Sequence, residues 1–356
     1  MLDEERIGYL SDERLALLPQ RHRAEHELCF YLHDRMVSML QSAEEARASS
    51  VVHTFQDTAE VAQFEQVGDP ISYFIDTGRR DLALRIALNQ LNLALFADLL
   101  HHIFEALKAL EKRKFVVALT LLRKPLQQNL LFATWMLADE EDFFQKLSSD
   151  PAKTMESKDL NSQRRKELFG KARRILRDVS FFDPEAVDSV LFDKNFAGGF
   201  ACLFDKAIHL VTSRGSLMKT EVLNLNLIFK SPTDDDLYEH LYRHLAYLLM
   251  YLAFLQIELY SRMKPIERSY SDWIKLTALG AYEALFDDKQ PLAKSLNRDL
   301  NQLLECPHCH SPVRIKRQGA ARFFIRGELW CPCCRSAHQF PLFWLLSKTK
   351  WSLKPL

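Results

Sequence analysis

Glycine is scarce, at 10 of 356 residues, and so are the features glycine usually supports. "GRRD" and "SRGS" have neither the Walker nor the dinucleotide spacing, so a glycine-rich phosphate loop is absent. The Gly-x-Ser-x-Gly elbow of the α/β-hydrolases is missing too. The longest apolar run, Leu245 to Leu255, falls short of the ~20 residues a membrane span needs and reads as a buried helix. The N-terminal "MLDEERIGYLSDER" is acidic and lacks a signal peptide's apolar centre. The reading is of a cytoplasmic protein with no membrane partner.

What is present is helical periodicity. Hydrophobic residues make up 47% of the chain. Leu84, Leu88, Leu91, Leu95, Leu99, Ile103, Leu107 and Leu110 follow steps of three and four, one face of a helix near thirty residues long. A second helix, from Phe115 to Ala138, should kink at Pro125, which has no amide donor. The short connection makes the two an antiparallel pair. Further helices are expected from Gln20 to about Arg47, over the basic "RRKELFGKARRILRD", and over 234–260, 271–286 and 291–304. "TEVLNLNLIF" alternates and reads as a short strand or extended loop, a helix not excluded. The fold class is mainly α: a multi-helix bundle with a small C-terminal β zinc ribbon. The domains are drawn at 1–70, 71–305 (with a sub-boundary near 148–162) and 306–356.

Cysteine is rare, with seven in all, yet five lie between positions 306 and 334. Cys306-Pro307-His308-Cys309 and Cys331-Pro332-Cys333-Cys334 are two Cys-Pro-x-Cys pairs separated by 21 residues. Two residues between cysteines let one tight turn aim both sulfurs at a point, and four thiolates make a closed tetrahedral zinc site. The metal ligands are therefore Cys306, Cys309, Cys331 and Cys334. Cys333 can replace a neighbour, and His308, His310 or His338 can substitute in another register. With no open position the zinc is structural, folding a segment too small to build its own core. Val313/Ile315 and Phe323/Ile325 alternate with charged residues, so a hairpin turning at "RQGAA" is expected between the knuckles. Over about fifty residues the pattern resembles the zinc ribbon family.

Net charge is zero, but it is distributed unevenly. From Cys306 onward there are nine basic residues and one acidic, Glu328, leaving 38 basic and 46 acidic before it. The tail thus carries +8 against a body of −8, which points to an anionic partner or to docking on the acidic body. Arg314, Lys316, Arg317, Arg322 and Arg326, with Phe324 and Trp330 nearby, can contact phosphates and stack on bases. Alternatively Phe323, Phe340, Phe343, Trp344 and Trp351 pack the ribbon onto the body. A nucleic acid, RNA included, or a protein is the implied partner.

Three weaker groups remain. Arg164, Arg165, Lys166, Lys171, Arg173, Arg174 and Arg177 sit on a helix with a narrow seam of Leu168, Ala172, Ile175 and Val179. They read as a solvated face beside acidic partners, with a second nucleic-acid surface as the alternative. His22, His26, Cys29 and His33 share a helix face that continues into Met36, Val37 and Leu40, so core residues are favoured over metal ligands. His209, Arg214, Glu221 and Asn226 form a loose polar group.

Arg21 and His26, and Arg47 and His53, have a spacing similar to the Arg-x(4–6)-His motif of HEPN-type helical ribonucleases. "ALTLLRKPLQQNLLFATWML" and "HLVTSRGSLMKTEVLNLNLIF" resemble the helical cores of bacterial proteins related to that group. The resemblance implies metal-independent RNA cleavage in stress or phage defence, by an arginine and histidine brought together in a homodimer, with Arg21 and His26 as candidates. Both pairs precede the region of likeness, roughly 81–260. The leading expectation is a non-enzymatic binding protein. The ribonuclease and a structural assembly factor are the alternatives.

Overall fold

The computed structural model describes residues 7–156, 160–176, 181–196, 198–209, 211 and 235–349. The chain is mainly helical, and its described strands form one two-stranded sheet near the C-terminus. The "TEVLNLNLIF" segment, Arg177, Val179, Arg214, Glu221, Asn226 and Trp351 lie outside the described residues.

A short α1 (Asp12–Leu15) and a 3₁₀ turn at Gln20–His22 lead into α2 (Arg23–Glu45). The chain then turns at Arg47, in the left-handed region at φ 49°. The stretch 48–70 reads from sequence as a weak, mixed connection, but α3 (Thr58–Val67) forms within it and α4 (Pro70–Asp76) starts at its end. Both are capped. Asp57 accepts from the Glu60 amide, and Asp69 accepts from the amides of Ile71 and Ser72, with Pro70 in the first turn.

The leucine-rich α5 (Arg80–Glu111) and α6 (Phe115–Lys124) pack together as the antiparallel pair the pattern requires. Leu84, Leu88, Leu99, Ile103, Leu107 and Leu110 are buried as expected, while Leu91 and Leu95 are half-buried. Pro125 opens a wide π-helical turn, Pro125–Asn129, before α7 (Leu130–Ala138); the missing amide donor shifts the hydrogen-bond ladder by one residue. α8 (Glu140–Ser149) and α9 (Pro151–Glu156) follow, the latter within the sub-boundary drawn near 148–162. Then come α10 (Ser162–Ile175), α11 (Pro184–Phe192) and α12 (Phe200–Ile208).

At the centre lies α13 (Asp235–Met263). From Leu248 through Leu255 every residue is buried, which is why this run is apolar on all sides. No described helix is long and apolar enough to cross a membrane. α14 (Arg268–Phe286) and α15 (Pro291–Asp299) complete the body.

The C-terminal segment corrects one expectation. The stretch between the knuckles is a helix, α16 (Arg317–Arg326), where strands turning at "RQGAA" were expected. Ala320, Ala321, Phe323 and Phe324 fall on one side of a 3.6-residue turn and are all buried, mostly against α14. Phe324 lies so close to the α14 backbone that a Cβ added at Gly280 would stand 2.4 Å from its ring. Gly327, at φ 69°, ends the helix in the left-handed conformation. The sheet is β1 (Glu328–Cys331) antiparallel to β2 (Ser336–Gln339), with Cys331 opposite Ser336, and α17 (Leu342–Ser347) follows. A single apolar core runs from Leu10 through Phe324 to Leu346.

Candidate metal centre and cationic surface

The four cysteines Cys306, Cys309, Cys331 and Cys334 bring their sulfurs within 4.8 Å of one another. Cys306 and Cys334 are 3.7 Å apart, Cys309 and Cys331 3.5 Å. Thiolates about 2.3 Å from a shared tetrahedral centre stand about 3.8 Å apart, so the spacing fits a metal such as zinc. A disulfide would require about 2.05 Å. Cys333 is exposed and outside the cluster, as are His308 and His310. His338 places Nε2 3.4 Å from the Cys334 sulfur, at the edge of the set.

Two matching turns build the cluster. In each, the residue after the second cysteine donates its amide to the carbonyl of the first: His310 to Cys306 and Arg335 to Cys331, both at 3.0 Å. Those two residues also share a left-handed backbone, at φ 56° and 54°. Each turn is closed by an antiparallel pair, Glu305 with Pro312 and Cys331 with Ser336. Non-glycine residues enter this region at a cost of about 1–2 kcal/mol, so its repetition marks a geometry imposed twice.

The thiols feel one another. Hydrogen bonds from the Ser311 side chain and amide bring Cys309 down to about 5. Burial, then the neighbouring thiols, push Cys334 up to about 12. Four thiolates at this distance repel, and a divalent cation is what allows all of them to be ionised together.

The segment docks through its apolar side and several polar contacts. The Asn297 side chain on α15 donates to the Ile315 carbonyl and accepts its amide, each at 2.8 Å. Arg326 donates to the Gly8 carbonyl at 2.6 Å and to Glu328 at 2.8 Å. Arg314, Lys316 and Arg317 are exposed. Arg317 pairs with Asp288, while Arg314 and Lys316 have no ion pair among the described residues.

Two adjoining hollows flank α16. A groove of about 210 Å³ is lined by Arg21 and Arg23 at the start of α2, by Ala284 and Leu285 of α14, and by Arg317, Gln318 and Arg322 of α16. A smaller hollow of about 40 Å³ is lined by Arg314, Lys316, Gln318, Arg322, Glu328 and Trp330. Four of the five tail cations expected to meet nucleic acid therefore line one or both hollows; Arg326 lies in neither. The contribution of Arg21 and Arg23 had no signal in the sequence, because α2 and α16 meet only through the fold. Phe324, expected beside Trp330 as an exposed aromatic, is 1% exposed. Phe323 packs inward, whereas Phe343 and Trp344 remain about half exposed.

The Arg/His candidates do not meet within the chain. His26 is fully buried, with Nδ1 2.7 Å from the Tyr242 hydroxyl and Nε2 3.6 Å from Glu111, and burial holds its pKa below the ordinary value. Arg21 is half exposed and reaches Asp236 at 3.2 Å. Arg47 ends a helix, while His53 instead meets Arg79 at 3.1 Å and Glu60 at 3.6 Å. His22, Cys29 and His33 are buried, in keeping with the packed-seam reading, and the cysteine cluster is the only multi-ligand group among the described residues. His209 is exposed at the end of α12.

Four of the six described cations on the basic α10 are ion-paired, while Arg174 is exposed with no ion pair among the described residues. Arg164 reaches Asp142 at 2.8 Å, Arg165 reaches Asp188 at 2.6 Å, Lys171 reaches Asp139 at 2.6 Å, and Lys166 contacts Glu185. No known protein family, curated protein or solved structure matches this chain, so its site rests on its own geometry.

Proposed function

We propose that this is a non-enzymatic nucleic-acid-binding protein, RNA being a natural ligand, in which zinc held by Cys306, Cys309, Cys331 and Cys334 fixes a cationic tail on a helical body. The observation carrying the reading is the division of labour on α16 and its flanks. The apolar side (Ala320, Phe323, Phe324) is buried, while Arg314, Lys316 and Arg317 face outward. A tail that served only to brace the body would have its cations covered. Outward cations converging on hollows, two of them (Arg314 and Lys316) without an ion pair among the described residues, suit a polyanion. The metal's part is structural: four protein ligands leave it no open position, and it converts two short turns into a rigid support.

Titration of labelled RNA and DNA at several salt concentrations tests this. Binding should weaken steeply with salt, by a slope of roughly 0.7–0.9 per phosphate neutralised. Charge reversal at Arg314, Lys316 and Arg317 should abolish it with the fold intact. Equal affinity of wild type and the triple variant would refute the reading. Absence of nucleic-acid binding alongside tight binding of an acidic protein would replace it.

A further inference from the structure

We propose that the tail takes single-stranded nucleic acid through two adjoining subsites: the guanidinium-lined groove for backbone phosphate and the Trp330 hollow for a stacked base. This rests on the nucleic-acid reading above and specifies its ligand.

The groove gathers Arg21, Arg23, Arg317 and Arg322 from two separate parts of the chain. The carboxylates paired with two of them are poor competitors. Arg21 holds Asp236, and Arg317 holds Asp288, through side chains 80% and 83% exposed. Exposed pairs of this kind contribute little and yield readily to a phosphate that several guanidiniums can hold at once.

The neighbouring hollow has a different chemistry. Trp330 stands on the outward side of β1, and its cross-strand partner is Ala337, too small to cover the indole. Glu328 also lines the hollow, with its Oε1 held by Arg326 at 2.8 Å and Gln339 at 3.0 Å. Gly319 forms part of the rim. A Cβ there would meet nothing within 4 Å, so packing does not require glycine, and glycine weakens a helix. Its bareness leaves the α16 backbone open to a ligand beside the indole.

Gln318 and Arg322, one helical turn apart, line both hollows and form the ridge between them. A strand crossing that ridge presents phosphate to one side and an unstacked base to the other. A duplex keeps its bases stacked inside and offers Trp330 no ring face.

Fluorescence anisotropy of the full chain with a labelled single-stranded oligonucleotide and the matching hairpin duplex, at one salt concentration, tests the assignment. The single strand should bind about ten-fold or more tightly than the duplex. Trp330→Ala should weaken it by about 5- to 100-fold with the salt slope unchanged, and Trp330→Phe should restore most of the loss. Arg21→Glu should instead reduce the salt slope. Gly319→Ala supplies a variant certain to favour the helix: it should keep or raise the melting temperature while weakening single-strand binding. Equal binding of duplex and single strand, or indifference of the single strand to both Trp330→Ala and Gly319→Ala, overturns the two-subsite assignment and leaves the nucleic-acid reading standing. Binding of neither form overturns both.

Discussion

Two segments of this protein are rich in arginine and lysine, and the fold uses them in opposite ways. On α10 four of the cations, Arg164, Arg165, Lys166 and Lys171, meet carboxylates from α7–α8, α11 and their flanks: Asp139, Asp142, Asp188 and Glu185. On the tail Arg317 meets Asp288 and Arg326 meets Glu328, whereas Arg314 and Lys316 meet none among the described residues and border the smaller hollow beside α16. The lesson is that a basic run is not in itself a binding surface. What the neighbouring elements place opposite it decides whether it holds the fold together or remains available to a partner.

The most damaging way to break this contrast is to remove the support of the tail. Structural zinc sites carry about 10–16 kcal/mol of apparent binding free energy. Cys306→Ser should therefore abolish the single equivalent of bound zinc and expose 306–349 to protease, while the far-ultraviolet helical signal of the body survives. Elemental analysis and limited proteolysis would show it. Retention of a full equivalent of zinc would contradict the ligand assignment.

A comparison of the two basic segments by stability comes next. Asp188 is 5% exposed and accepts from both Arg165 and Ser162. Asp188→Ala strands a mostly buried guanidinium and should cost about 3 kcal/mol in denaturant unfolding. The double variant Arg314→Glu, Lys316→Glu should shift stability by less than about 0.5 kcal/mol, as exposed substitutions do. Similar losses from both would erase the distinction.

The body has its own electrostatic anchor. Burial raises the Glu111 carboxyl, but the adjacent His26 ring and the hydrogen bonds from Arg14 and Lys108 outweigh it and hold the group at about 2. A depressed carboxylate stabilises the fold above its ordinary pKa near 4.5, and that contribution is lost as pH falls through about 2. The pH-dependent part is roughly 3 kcal/mol at 1.36 per pH unit. Glu111→Gln should flatten the acid limb of the stability curve between pH 4.5 and 2. An unchanged limb would show that other carboxylates set it.

The smallest effect concerns the two knuckles. His310→Gly and Arg335→Gly each place glycine where the backbone is left-handed and should stabilise the metal-bound tail by about 1 kcal/mol. A loss at either position would mean that its side chain contributes more than its backbone costs.

Much of this was legible in the sequence because the underlying signals are local and periodic. The stride from Leu84 to Leu110 produced α5, Pro125 produced a break, and the two Cys-Pro-x-Cys turns produced four converging sulfurs. The misreading of α16 has a physical cause. Val313, Ile315, Phe323 and Ile325 alternate with charge over stretches too short to separate a strand from a helix face, and the zinc ribbon likeness favoured strands. The adjacent pairs Ala320-Ala321 and Phe323-Phe324, followed by Gly327, were the helical signal. Likewise Asp57 with Glu60, and Asp69 with Pro70, announced α3 and α4 through their caps. No local pattern could show that Arg21 and Arg23 face Arg317 and Arg322, nor that His26 is sealed beside Glu111. Those are consequences of packing between segments far apart in the chain.

The most direct test of the account measures nucleic-acid affinity against salt for three proteins side by side: wild type, an α10 variant carrying Lys166→Glu and Arg174→Glu, and a tail variant carrying Arg314→Glu and Lys316→Glu. The account predicts that the α10 variant keeps the wild-type slope and the tail variant loses about 1.4–1.8 units of it, about 0.7–0.9 for each cation removed from phosphate. A wild-type slope in the tail variant, or a greater loss in the α10 variant, would contradict it.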